Sequence, residues 1–130
     1  GWEVVPEGLT ELLLRMNRDW VLPPLYVMEN GAAYADQLEG GAVHDRERID
    51  YIAAHIGAVG DALAQGVPMA GYMVWSLMDN FEWASGYAKR FGIVHVDYAT
   101  LRRTPKDSYH WYRDFLRAQR PQLQPHAEAA

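Results

Sequence analysis

Two short apolar runs limit this chain more than anything else in it. Residues 25–28, Leu-Tyr-Val-Met, are apolar without interruption, as a strand covered on both faces requires. Residues 69–76 form a second run of the same kind, ending in Trp75-Ser76. Helical patterns surround both. Pro6 suits a first helical turn, and Leu9, Leu12, Leu13 and Met16 follow at helical spacing, which predicts a helix over 6–18. From Asp45, the residues Ile49, Ile52, Ile56, Val59 and Leu63 predict an amphipathic helix stopped by Gly66. Thr104-Pro105-Lys106-Asp107 reads as a capping-box opening of a last helix to about residue 119, and 93–96 as a short extra strand. A polar, Gly-rich loop is expected from Asn30-Gly31 to about Val43, and a disordered tail from Pro121.

Buried strands alternating with amphipathic helices signal parallel βαβ units, hence an α/β fold. Two such strands cannot close a barrel, and each keeps an unpaired edge that natural proteins avoid. The pattern therefore predicts a slice of a larger α/β domain. Residues 1–120 are expected to form one segment of it, with no internal domain boundary. The chain also opens at Gly1-Trp2 rather than at Met, and an upstream portion is expected.

Composition narrows the functional classes. A net charge of −5 with interspersed signs leaves no basic stripe for nucleic acid. No run approaches the roughly 20 apolar residues of a membrane span. Cysteine is absent, which removes disulfides and thiolate metal sites and suits a cytoplasmic, bacterial-like setting. The histidines are scattered without ligand spacing, so no metal is expected. No Gly-x-Ser-x-Gly elbow and no phosphate-cradling glycine loop occurs, and no cofactor is expected.

Chemistry concentrates at the ends of the two strands. Glu29 follows the first apolar run and precedes a turn, where α/β barrels carry functional residues. A solvated strand-end glutamate or a helix-capping one is the plain alternative. After the second run, Trp75, Asp79, Glu82, Trp83, Lys89, Arg90 and Phe91 crowd one loop. Tryptophan beside carboxylates suits a sugar site: the ring stacks on C–H faces while the carboxylate accepts from adjacent hydroxyls. Alternatively the tryptophans pack and Glu82 pairs with Arg90.

At these residues the sequence resembles the β-glucosidases of glycoside hydrolase family 1. The match runs through Gly-Trp-Glu-Val-Val-Pro-Glu-Gly-Leu at 1–9, Tyr-Val-Met-Glu-Asn-Gly at 26–31 and the 71–83 segment ending Asp-Asn-Phe-Glu-Trp. It continues through Gly-Tyr-Ala-Lys-Arg-Phe-Gly-Ile-Val at 86–94 and Thr-Pro-Lys-Asp-Ser at 104–108. The resemblance implies the C-terminal part of a (β/α)8 TIM barrel, from the sixth helix through the seventh and eighth strands and helices. It implies Glu29 as the nucleophile, Trp75 as the platform under the sugar and Glu82 as the acceptor from its 4- and 6-hydroxyls. Trp83 would be an indole donor to a ring hydroxyl, Phe91 the aromatic beside C6, and Trp2 an aglycone-side tryptophan. Met28 stands where the family usually has Thr, and His95 where Tyr is common. A β-glucoside or cello-oligosaccharide without a 6-phosphate is implied, since Glu82 would repel one.

Retention needs a second carboxyl as acid and base. In the family it lies in an Asn-Glu-Pro segment on the fourth strand, and no such segment occurs here. The expectation is a chain that is active only with the N-terminal portion of its barrel. A non-catalytic carbohydrate-binding fragment and a thioglucosidase-like relative are the alternatives.

Overall fold

A computed structural model of the chain describes residues 3–120. Trp2 and the tail from Pro121 lie outside them. Helix α1 is Pro6–Asp19 and opens on its proline, whose missing N–H costs nothing in a first turn. Strand β1, Leu25–Asn30, follows, then α2, Arg46–Ala64, and β2, Met69–Val74. A short antiparallel pair, β3 (Val94–Val96) and β4 (Arg103–Pro105), precedes α3, Asp107–Gln119.

β1 and β2 lie side by side and parallel, with Tyr26 opposite Gly71, Val27 opposite Tyr72 and Asn30 opposite Val74. The helices cover one face of this pair. Leu13, Ala62 and Val67 form one core cluster, with Leu25 and Met69 against it. Ile52, Ile93 and Val94 form a second, with Tyr72, Val74, Tyr109 and Trp111 around them. α1 is tied to α2 by the Thr10 hydroxyl, which donates to the Ala58 carbonyl at 3.0 Å.

Three expectations need correction. The apolar runs predict strands covered on both faces, yet Tyr26 is 54% and Met28 63% exposed. Among the described residues, nothing covers the face opposite the helices. The stripe of α2 is also rotated: its buried line runs through Arg48, Ile52, His55, Ala58 and Ala62, while Leu63 is exposed. Small alanines let α1 approach at Ala58 and Ala62, while ion pairs with Asp36 and Asp45 bury Arg48, so partners rather than hydrophobicity pick the line. Finally, no capping box opens α3. Thr104 and Pro105 belong to β4, and no side chain of the cap residue bonds the helix. Asp45, at the start of α2, caps α3 from outside instead, accepting the Ser108 N–H at 2.8 Å and the Ser108 hydroxyl at 2.6 Å.

The loop between β1 and α2 carries its own small hairpin. Glu39 and Ala42 exchange both backbone hydrogen bonds at 2.9 Å around Gly40 and Gly41, whose φ angles of +57° and +87° only glycine takes readily.

Candidate active site

The two parallel strands end together, and their ends are locked. The Trp75 N–H donates to the Asn30 carbonyl at 2.9 Å, and the Tyr72 hydroxyl donates to the Asn30 side chain at 2.7 Å. Gly31 lies directly beneath the Trp75 carbonyl, where a Cβ would collide with backbone. The pairing register breaks between Val27 and Asn30. Such irregularities re-aim side chains. Met28 and Glu29 are consecutive and both exposed, so the Glu29 carboxylate is free to meet a ligand at the strand end.

Beyond Trp75, 36% exposed, the chain runs beside its own return segment. The Ser76 N–H reaches the Phe91 carbonyl at 3.2 Å, the Ile93 N–H the Ser76 carbonyl at 2.9 Å, and the Asp79 N–H the Val94 carbonyl at 3.0 Å. Phe91 is thereby carried back to the end of β2, next to Trp75. The Trp75–Ser76 peptide is cis. Glu82 and Trp83 sit on the turn farther out. It closes through the Glu82 N–H to Gly86 at 2.7 Å and the Ser85 N–H to Glu82 at 2.8 Å. Trp83 holds φ at +42° and is 83% exposed. For a residue with a Cβ, that backbone region costs about 1–2 kcal/mol. Glu82 is half-buried and does not pair with Arg90. Phe81 packs on Tyr87, Tyr87 on Tyr98, and the Arg90 guanidinium lies 4.7 Å over the Tyr98 ring. This aromatic stack supports the turn from below.

Under both loops runs a row of alternating buried charges: Asp45, Arg48, Asp36, Lys106, Asp79 and Arg90. Arg48 meets Asp36 with two guanidinium nitrogens, at 3.0 and 2.8 Å, and also pairs with Asp45. Lys106 bridges Asp36 and Asp79, the latter at 2.9 Å, and Asp79 accepts from Arg90 at 2.6 Å. Apart from Arg90, at 21%, these side chains are no more than 1% exposed. Three carboxylates balance three cations. Breaking a buried pair typically costs 3–5 kcal/mol, whereas exposed pairs such as Arg46–Asp50 contribute roughly 0–1 kcal/mol. The buried row therefore governs the loops.

Electrostatics follows from this row. Burial opposes ionisation of Asp79, but Lys106 and Arg90 outweigh it and hold its carboxyl below the usual range. His95 on β3 is 8% exposed, and its Nδ1 has no hydrogen-bond partner. Burial and the nearby Arg90 both lower its pKa. Sequence patterning does not single out Asp36, Asp45, Arg48, Lys106 or Ser108. One signal in it does point to the row: Arg48 stands one helical turn before Ile52, a charge on an apolar face. Among the described residues, no group of three or more His, Asp or Glu side chains could hold a metal ion. No described helix is long and apolar enough to cross a membrane.

Parallel strands backed by helices, with polar loops gathered at the strands' C-terminal ends, define part of an α/β domain. The family model for glycosyl hydrolase family 1 matches residues 1–121, and the chain belongs to that family. Beta-glucosidase A of Thermotoga maritima is 53% identical over 118 residues, which are 90% of this chain and 26% of that protein. A bifunctional beta-D-glucosidase/beta-D-fucosidase of Bifidobacterium breve is 49% identical over 121 residues, 89% of this chain and 26% of the other. The structure of the family 1 β-glucosidase from Thermotoga maritima superposes with a TM-score of 0.88 at 52% identity, covering 90% of this chain and 27% of that one. The chain spans about a quarter of the length of these relatives. Its fold is accordingly the C-terminal part of a (β/α)8 barrel, two barrel strands with their helices, incomplete on its own.

Proposed function

We propose that this chain is the C-terminal quarter of a retaining β-glucosidase in which Glu29 is the nucleophile. The observation that carries the reading is the locked pair of strand ends. An exposed carboxylate stands one residue before the end of one strand and an indole one residue past the end of its neighbour, held by the Trp75–Asn30 hydrogen bond over a bare Gly31. Glu29 attacks the anomeric carbon from one face while the bond to the leaving oxygen breaks. That oxygen takes its proton from a second carboxyl, about 5–5.5 Å away in retaining enzymes. Water then displaces Glu29 after giving its proton to the same group. Proton transfer of this kind is worth about 10²–10⁴-fold, so the upstream residue that supplies it is essential. Trp75 is the platform for the sugar ring, Phe91 lies beside C6, and Glu82 and Trp83 bind hydroxyls. Trp2 belongs on the aglycone side. The substrate is a non-phosphorylated β-glucoside or cello-oligosaccharide; the names of the relatives above support the β-glucoside.

The purified 130-residue chain is assayed on an aryl β-glucoside with and without the upstream portion of its barrel, and a 2-fluoro glucoside traps the covalent intermediate. Turnover and a label on Glu29, both only in the presence of the upstream portion, are expected. A label on another residue overturns the assignment. Glucose binding without any label indicates a binding scaffold.

A further inference from the structure

We infer that Lys106 is a positioning residue of this site, its buried ammonium fixing the loop that follows Glu29 against the loop that carries Glu82. The inference rests on the roles of Glu29 and Glu82 proposed above. Lys106 belongs to neither loop; it stands at the N-terminus of α3. Its Nζ meets Asp36 in the first loop and lies 2.9 Å from Asp79 in the second. Asp79 is held in turn by the Gly92 and Val96 N–H groups at 3.0 and 3.3 Å, so the ammonium addresses an anchored carboxylate. Other crossings between the loops end on one carbonyl, that of Arg90. It accepts from the Tyr34 N–H at 3.4 Å and from Arg48 at 2.8 Å. Lys106 alone among the described side chains bonds a carboxylate on each loop.

The charges around it define what its loss does. Arg48 and Asp45 face the row from α2, Arg90 from the second loop, and His95 lies close by on β3. Without the ammonium, three carboxylates face two arginines, and Asp36 and Asp79 lose their common donor. A proton shared between these two carboxyls can rebuild the bridge. Displacement of the loops is therefore greatest at neutral pH and reversed as pH falls.

The test uses the complete barrel containing this segment. Circular dichroism and the pH dependence of kcat and KM on 4-nitrophenyl β-glucoside are measured for the parent, Glu29→Gln, Lys106→Met and the double variant Asp36→Asn/Lys106→Met. In Lys106→Met, kcat/KM is expected to fall about a hundredfold at pH 7.5, the scale of an ångström-level misplacement, and to recover in part toward pH 5. The double variant, charge-balanced and able to join the amide to Asp79, is expected to regain most activity without the added pH dependence. A parental profile in Lys106→Met overturns the inference. So does a double variant that fails to fold or stays as slow as the single one, and this arm decides the matter even if Lys106→Met does not fold. Turnover retained by Glu29→Gln instead overturns the proposed nucleophile and leaves the Lys106 comparison intact.

Discussion

Glu82 and His95 both lie within the stretch that the Phe81–Tyr87–Tyr98 stack spans, and their environments prescribe different tests. Glu82 is half-buried on a turn and bonds ligand rather than protein in the proposed role. Hydrogen bonds to charged groups contribute about 1.5–3 kcal/mol, so Glu82→Gln in the complete barrel is expected to lower kcat/KM about tenfold to a hundredfold. The same variant is expected to narrow discrimination against 6-phosphorylated glucosides, read as the ratio of the two kcat/KM values. His95 acts on stability. Its folded pKa is depressed, so between that value and about 6.5 the unfolded chain binds more protons than the folded one. Stability therefore rises with pH across that window and is complete above it. His44, whose pKa the Asp107 carboxylate raises, contributes the opposite slope, so urea midpoints should gain more between pH 5 and 7.5 in the parent than in His95→Phe. The contribution of Asp79, whose pKa is also depressed, disappears only in more acidic solution, as pH falls through its folded value.

The elements are legible in the sequence wherever local pattern decides them. Pro6 opens α1, Gly66 at φ +91° stops α2, and the two apolar runs are β1 and β2. Where long-range partners decide, local pattern misleads. The Thr-Pro-Lys-Asp stretch has the composition of a cap, but β3 claims Thr104 and Pro105, and Asp45 from a distant helix does the capping. Arg90 has Glu82 as a candidate partner in sequence, yet it pairs with Asp79, which the fold buries beside it. Of the candidate site, Glu29, Trp75 and Phe91 do converge on the two strand ends. The ion row beneath them is not legible as a row, because its members come from four separate segments: the first loop, the start of α2, the second loop and the start of α3. Glycines separate local from long-range effects cleanly. Gly57 in α2 has open space where a Cβ would stand, so Gly57→Ala is expected to raise stability by about 0.5–1 kcal/mol. Gly31→Ala meets the Trp75 carbonyl and is expected to cost about 3 kcal/mol, the upper end for overpacking, because the obstacle is backbone. Chemical denaturation of both variants checks the pair.

For the whole molecule, the uncovered face of the two-stranded sheet is the plainest fact. Tyr26, Met28 and Met73 are 54%, 63% and 42% exposed, on the side away from the helices. In a closed barrel that side is filled by layered side chains. Peroxide is expected to oxidise Met28 and Met73 readily in the isolated chain and far more slowly once the upstream portion is added, as followed by peptide mass spectrometry. Equal rates in both states would mean that the two pieces do not close a barrel.

The hairpin at Gly40-Gly41 closes on itself through Glu39 and Ala42 and contacts neither the strand ends nor the ion row through those bonds. Doubling the length of a flexible loop costs only about 0.6 kcal/mol. New recognition segments, or an entire inserted domain, can therefore be grafted at this tip while Gly31, Trp75 and Lys106 keep their places. Engineering of new substrate preference has a permissive address at that tip.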